Sequence, residues 1–284
     1  MVVYLPQIKE FWRHWATFSQ PFMAIITLTT DLGISDFYLA AAKGDLYTLV
    51  PDVNLVDVSH EFQKFDILRP SIVLAHVWRR FPKGTIHIVA VDSLESERVP
   101  WIAAEFEGHY FVGADNGMFS VIAGDLPERV VQINRPQNTV AMPSLPLLDA
   151  FTHAAAHLAK GGNLNDLGRA RNDWQRMLVQ RPPISEGLIR PNIIYIDTFG
   201  NLITNLTREV FDEVGQGAPF EIQMPRSRFA VRSISRSYID VPDSSPLALF
   251  GHTGFLEIAI SRGSAARLMG LRVSDTIRIE FYAD

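Results

Sequence analysis

The chain has 284 residues, of which 47% are hydrophobic, and this is enough for one large core or two smaller ones. Its net charge of −5 argues against nucleic acid and against a polybasic membrane surface as partners. The lack of cysteine excludes disulfides, thiolate zinc sites and thiol nucleophiles, and no apolar run approaches the roughly 20 residues that a membrane span needs.

The first 22 residues differ in composition from the rest of the chain. They lack the small-residue cleavage site of a signal peptide. Their aromatic residues recur at a spacing that suits a short amphipathic helix, at Phe11, Trp12, Trp15 and Phe18. We predict an N-terminal extension, residues 1–22, that packs on the domain or on a neighbouring subunit. The chain is expected to be cytoplasmic.

Residues 23–180 alternate between strand-like and helix-like segments. Strands are predicted at 24–30, 54–60 and 85–92, helices at 36–49, 67–81 and 147–162, and a hairpin from WIAAEF and HYFVGAD. Strands that alternate with helices predict a mostly parallel α/β sheet in this first domain.

The composition changes after about residue 180, where RPPISEG resembles a linker. Short β-rich segments then follow at regular spacing: NIIYID, NLITNL, FEIQM, RFAVRSI, LALFG, FLEIAI and TIRIEFYA. This pattern predicts a smaller second domain, residues 185–284, built as a β-barrel or a sandwich.

Polar loops follow the predicted strands, and ligands bind at the carboxyl ends of strands in a parallel sheet. TTDLGISD, SHEFQKFD and VDSLESER follow the first, second and third strands, and IDTFGNLITN gathers polar residues in the second domain. Asp31 directly follows its strand and is poorly placed to cap the next helix, so we predict that it binds a ligand. Asp36 suits a helix cap and a ligand group equally well.

Five motifs occur in a fixed order: TTDLG, VDVSHEF, ADNGMFS, DTFGNLITNL and LEIAISRGSAARLMGLRVSD. Their order and spacing, over about residues 24–282, resemble the S-adenosylmethionine hydroxide adenosyltransferase family, relatives of the bacterial fluorinase and chlorinase. The resemblance implies an N-terminal α/β domain, a C-terminal β-barrel and a homotrimer. It also implies that S-adenosylmethionine lies between the N domain of one subunit and the C domain of the next, as substrate or ligand, with no metal and no further cofactor.

The resemblance assigns the ribose end of the ligand to the first domain. Asp31 would accept hydrogen bonds from the ribose hydroxyls, since a carboxylate offers only acceptors to two donors. Asp36 would support that loop, and Phe65 would line the ribose.

The resemblance assigns the base and the amino acid end of the ligand to the second domain. Asp197 would take the methionine ammonium, and Phe199 and Tyr238 would sandwich the adenine. Asn201 would read the polar edge of the base, because an amide both donates and accepts. His252 would contact the methionine carboxylate, or it would simply begin a hairpin.

The family reaction is attack of water, as incipient hydroxide, on the 5′ carbon of S-adenosylmethionine, which yields adenosine and L-methionine. By resemblance, Asp92 and Arg98 would be the catalytic residues. The chain departs from the family pattern here, because residues 93–96 replace its PGVG glycines and Pro146 occupies the position of its histidine. His153 and His157, one helical turn apart, have no evident third metal ligand and are expected to be structural.

These departures leave three readings open. The first is an S-adenosylmethionine hydrolase, possibly slow, that uses Asp92 and Arg98 without the histidine. The second is a pseudoenzyme that binds an adenosyl ligand without turning it over. The third is a related enzyme of altered substrate, with an apolar wall from Leu145, Leu147 and Leu148.

Overall fold

The computed structural model describes residues 23–124, 127–134, 146–178, 180–225 and 229–282. The predicted N-terminal extension, residues 1–22, lies outside the described residues, and so do Leu145 and the side chains of residues 146–149. The described residues divide into two compact units, the first within residues 23–66, 80–116 and 127–174 and the second within residues 67–79, 117–124 and 175–282. Among the described residues, no helix is both long enough and apolar enough to cross a membrane.

The first unit contains a seven-stranded sheet. Its strands are β1 (Ile25–Thr30), β2 (Asn54–Ser59), β3 (Ile86–Ala90), β4 (Trp101–Phe106), β5 (His109–Ala114), β6 (Arg129–Ile133) and β7 (Gly168–Arg171). They lie in the order β2-β1-β3-β5-β4-β6-β7. The first three pairings are parallel and the last three antiparallel. The prediction of a mostly parallel sheet is therefore corrected to a mixed sheet, because the predicted hairpin adds its antiparallel partners to the same sheet.

The helices are α1 (Phe37–Leu49), α2 (Leu68–Val77), α3 (Met118–Ala123), α4 (Pro146–Ala159), α5 (Arg208–Gly215) and α6 (Ala265–Met269), with 3-10 turns at Trp78–Arg80 and Leu164–Leu167. In the first unit, α1 packs against α4, and α4 packs against β1, β3 and β5. Helices α2 and α3, which fall within the predicted first domain by sequence, group with the second unit.

The burial of the central strands of the first sheet explains why their sequences are apolar. Strands β1 and β3 are buried along nearly their whole length, and strands covered on both faces read as continuous apolar runs. Because β2, β1 and β3 are parallel neighbours, their carboxyl ends, at residues 59, 30 and 90, meet at one edge of the sheet. The polar loops that follow these strands therefore lie side by side.

The second unit contains two antiparallel sheets. Their strands are β8 (Ile184–Ser185), β9 (Leu188–Ile189), β10 (Ile193–Ile196), β11 (Leu202–Thr207), β12 (Phe220–Gln223), β13 (Ala230–Val231), β14 (Pro246–Phe250), β15 (Phe255–Ile260) and β16 (Arg278–Phe281). One sheet has the order β10-β11-β15-β14 and the other β13-β12-β16-β9-β8. The prediction of a second domain built from short strands is confirmed. In the strand orders of the described residues neither sheet closes on itself, so the barrel stays a prediction.

Candidate functional site

Asp31, at the end of β1, is the most enclosed acid among the predicted site residues, with only 7% of its surface exposed. Its Oδ2 accepts the backbone N–H of Phe65 at 3.0 Å and that of Asp92 at 3.4 Å. The ammonium of Lys64 donates to its backbone carbonyl. The loops that follow β1, β2 and β3 thus converge on one carboxylate. A carboxylate has about four acceptor positions, so this one keeps capacity for further donors.

Both backbone donors to Asp31 have unusual backbone angles. Phe65 has φ of +63° and Asp92 has φ of +42°, in the left-handed region that residues other than glycine rarely adopt. Such a conformation costs on the order of 1–3 kcal/mol and persists only where the surroundings enforce it. The Asp31 carboxylate contributes to that enforcement, because each strained residue turns its N–H toward it.

The other predicted residues of the ribose end are exposed. The Phe65 ring has 68% of its surface exposed. Asp36 is at the N-cap position of α1, where its extended backbone is suitable, but its side chain forms no capping hydrogen bond. Asp36 therefore occupies the N-cap position that the sequence predicted, but its side chain does not bond to the first turn of the helix.

The loop that replaces the family glycines has a structure of its own. The indole N–H of Trp101 donates to the carbonyl of Ser93 at 3.0 Å. Ser96 and Val99 exchange two backbone hydrogen bonds of 3.2 Å, which closes a tight turn with Arg98 in it. Arg98 is exposed, whereas Asp92 is half-buried.

The side chain of Asn116 fixes the backbone at the start of this loop. Its amide donates to the carbonyls of Val91 at 3.0 Å and Asp92 at 3.3 Å. These contacts hold the turn that presents the Asp92 N–H to Asp31.

The second unit contains a cavity of about 720 Å³. Four of the predicted residues line it together, namely Asp197, Phe199, Asn201 and Tyr238. Phe199 and Tyr238 have 79% and 44% of their surfaces exposed. Aromatic rings left accessible around a cavity are what a planar ligand needs for stacking.

Asp197 and Asn201 form one hydrogen-bonded unit in the wall of this cavity. The Asp197 carboxylate accepts the backbone N–H of Asn201 at 2.8 Å and its side-chain N–H at 3.0 Å. The turn needs a glycine at position 200, where φ is +86° and an added Cβ would lie 2.1 Å from Ser264 Oγ. Each Asp197 oxygen keeps one acceptor position, and the Asn201 carbonyl oxygen remains able to accept.

Tyr238 is anchored by a residue that the sequence analysis did not single out. Its hydroxyl donates to Glu257 Oε1 at 2.6 Å, and Glu257 is buried in β15. Burial and this carboxylate raise the pKa of Tyr238. Burial also raises the pKa of Glu257, and the charge of Asp197 adds to the effect, while the hydrogen bond from Tyr238 and the nearby His252 oppose it.

His252 lies in an exposed turn before β15 and does not line the cavity. Its influence on Glu257 is the one described link between it and the residues around Tyr238. Sequence alone offered a weak signal for Glu257, since an acid interrupts the apolar run of FLEIAI.

One of the two helical histidines, His157, connects its helix to the turn that follows. His157 Nε2 lies 3.0 Å from the carbonyl of Asn163 and 3.7 Å from Asp166 Oδ2, which ties the end of α4 to the next turn. In the part of the chain that the structure describes, no group of three or more His, Asp or Glu side chains could hold a metal ion.

Two family models match the chain, one over most strands of the mixed sheet and one over most strands of the antiparallel sheets. The SAM hydroxide adenosyltransferase N-terminal domain matches residues 26–168, and the corresponding C-terminal domain matches residues 191–278. The chain therefore belongs to the SAM hydroxide adenosyltransferase family, and the resemblance noted from its motifs is confirmed.

Curated relatives are similar over most of their length. The chain is 30% identical to the (R)-S-adenosyl-L-methionine hydrolase of Thermus thermophilus, over 90% of this chain and 100% of the relative. It is 28% identical to the enzyme of the same name from Methanocaldococcus jannaschii, over 90% and 95%. It is 23% identical to the fluorinase of Nocardia brasiliensis, over 90% and 96%.

A crystal structure of an uncharacterized conserved protein from Thermotoga maritima shares the fold. The TM-score is 0.76 at 24% sequence identity, over 89% of this chain and 99% of that protein.

Proposed function

We propose that this protein binds S-adenosylmethionine and hydrolyses it to adenosine and L-methionine. The observation that carries the proposal is the buried Asp31 carboxylate, on which the loops after three parallel strands converge. Two strained backbone segments supply its donors. A fold that maintains such strain around one acid has a preformed acceptor for paired hydroxyl donors, such as those of a ribose.

The second unit supports the same ligand. Its cavity combines two accessible rings, a carboxylate and an amide acceptor, at Phe199, Tyr238, Asp197 and Asn201. Rings would stack on adenine, the amide oxygen would accept from an exocyclic amino group, and Asp197 would accept from an ammonium. These are the roles that the family resemblance implies, and we propose them for these residues.

The proposed reaction requires little chemistry from side chains. The water oxygen forms a bond to the 5′ carbon while the bond from that carbon to sulfur breaks, and the sulfur leaves with the electron pair as the neutral thioether of methionine. The water then loses one proton to solvent. The protein has to position and partly desolvate the water, an effect that reaches about 7–11 kcal/mol in ideal cases. Asp92 is the residue that we propose for orienting this water.

We also propose a homotrimer with the ligand at a subunit interface, on the family pattern. A cytoplasmic location stays a prediction from the sequence.

The test is chromatography of the purified protein after incubation with S-adenosylmethionine, with adenosine measured against a blank without protein. Asp92→Asn is the informative variant, because asparagine tolerates a left-handed backbone and keeps the N–H that Asp31 accepts. We expect wild type to form adenosine and this variant to be slower by about 10²-fold, because the water would be less well positioned. Equal rates in the two proteins would exclude a catalytic role for Asp92.

A second candidate function, binding without turnover, is favoured by the position of Arg98. This residue lies in an exposed tight turn of the rebuilt loop, and Pro146 occupies the family histidine position. Calorimetry with adenosine distinguishes the candidates. Binding with no adenosine formed from S-adenosylmethionine would establish the pseudoenzyme.

A further inference from the structure

The VDVSHEF motif carries a buried histidine to which the proposed function gives no role. His60 lies just after β2 and has 5% of its surface exposed. We propose that His60 is a positioning residue that holds the Asp31 carboxylate in place for ribose hydroxyls. The inference rests on the proposed function, since it concerns recognition of the ribose by Asp31.

His60 contacts the chain on both sides of Asp31. Its Nδ1 lies 2.9 Å from Thr30 Oγ1, and its backbone carbonyl accepts the N–H of Gly33 at 2.9 Å. Thr30 Oγ1 also accepts the N–H of Leu32 at 3.3 Å. The His60 side chain thus contacts Thr30, which in turn holds Leu32. The backbone carbonyl of His60 holds Gly33.

The histidine itself is held from the other side. Its Nε2 lies 3.1 Å from Asp57 Oδ1, an electrostatic contact that is not a hydrogen bond. Asp57 Oδ2 accepts from Lys43 Nζ at 2.6 Å. Partial burial would raise the pKa of Asp57, but the contacts with Lys43 and His60 outweigh it and lower that pKa.

The tautomer that fits these contacts carries its proton on Nε2, facing Asp57. Nδ1 then accepts the Thr30 hydroxyl proton, and the Thr30 oxygen accepts from Leu32. The Thr30 hydroxyl and the Leu32 N–H then each have an acceptor, and these contacts hold the backbone on either side of Asp31. Displacing that backbone would turn the carboxylate away from its ligand position.

The experiment compares the affinities of the full-length protein for adenosine and for 2′,3′-dideoxyadenosine by calorimetry at one pH. Wild type should prefer adenosine by about tenfold or more, since hydrogen bonds to a carboxylate are among the stronger ones. His60→Leu should lose about tenfold in affinity for adenosine and less than twofold for the dideoxy compound. His60→Asn, which can still accept from Thr30, should recover most of the preference.

Two further variants separate positioning from general damage. Thr30→Val removes the contacted oxygen at similar volume, and it should reproduce the selective loss even if His60→Leu fails to fold. His87→Asn is the matched control, since His87 is also buried in this sheet and contacts a threonine, Thr27, at 2.8 Å. It should lower stability and leave the preference for adenosine unchanged.

Each outcome bears on a different claim. Equal weakening of both ligands in His60→Leu and Thr30→Val would overturn the positioning role and leave the proposed function intact. If the wild-type protein bound adenosine with no preference over the dideoxy compound, the Asp31 ribose site would fail, and the role of His60 with it.

Discussion

The two units present their candidate ligand-binding groups in opposite ways. In the first unit a single buried acid, Asp31, is surrounded by backbone donors that arrive from three loops. In the second unit an open cavity exposes rings at Phe199 and Tyr238 and keeps its polar groups in one compact turn. The difference fits the two kinds of contact that we propose, since directional hydrogen bonds benefit from an ordered backbone and stacking requires accessible apolar surface.

The largest expected effect tests the turn in the second unit. Gly200→Ala would place a methyl group against Ser264 in a left-handed backbone position. We expect a loss of about 2–4 kcal/mol in the free energy of unfolding, from steric overlap added to backbone strain. Thermal and urea unfolding measure it.

The matched control for this substitution is Gly254→Ala, where φ is +72° but an added Cβ meets open space. This substitution should lower the free energy of unfolding by about 1 kcal/mol or less. Equal losses in both variants would mean that the close approach to Ser264 is unimportant.

The second prediction concerns ligand binding by the first unit, and it compares the same change, Asp to Asn, at two acids of one loop. Asp31→Asn should weaken adenosine binding by about 10–100-fold, because an amide replaces one acceptor oxygen by a donor and removes the charge. Asp36→Asn should change the affinity less than twofold, since Asp36 is exposed and forms no cap hydrogen bond. Calorimetry would contradict this view if Asp36→Asn proved the more damaging change.

Acid should affect the two units unequally. In the first unit His87 is fully buried, and its Nε2 lies 3.2 Å from Nδ1 of His109. Burial and, to a smaller extent, the charge of His109 lower the pKa of His87 from 6.5 to about 3. Between pH 6.5 and pH 3 the unfolded chain therefore binds a proton at His87 that the folded chain does not bind. The contribution of neutral His87 to the free energy of unfolding is complete above pH 6.5 and decreases as the pH falls toward 3. We expect a loss of roughly 2 kcal/mol between pH 6.5 and pH 5.

Among the described residues, the second unit has no buried histidine. Hydrogen exchange at pH 7 and pH 5, corrected for intrinsic rates, should therefore show the first unit losing protection before the second. His87→Asn should remove most of the difference in stability between these pH values. A slope that survives in this variant would assign the acid sensitivity to other groups.

The smallest effect concerns the ring that Glu257 anchors. Tyr238→Phe keeps the stacking surface and removes the hydroxyl that donates to Glu257. We expect adenosine affinity to fall by about two- to fivefold, a loss near 1 kcal/mol or less, because the ring is retained but less strictly oriented. Calorimetry of Tyr238→Phe, Glu257→Gln and the double variant measures it, and additive losses would indicate that the two residues act independently.

The amino-acid sequence alone was enough to predict the family, most of the helices and strands, and Asp31 as a candidate site residue. Asp31 stood out because it follows an apolar strand directly, and the polar loops stood out because they follow consecutive strands. The periodicity behind these inferences is local, and burial on both faces of β1 and β3 preserved it in the fold.

Which atoms come into contact could be read only from the folded chain. No pattern in the sequence indicated that Phe65 and Asp92 would turn left-handed backbones toward one carboxylate, or that His60 would contact both sides of it. The same holds for the mixed sheet, in which β5 lies parallel to β3 and antiparallel to β4. These features depend on pairings between residues far apart in the chain, and the local propensities that a sequence displays do not specify such pairings.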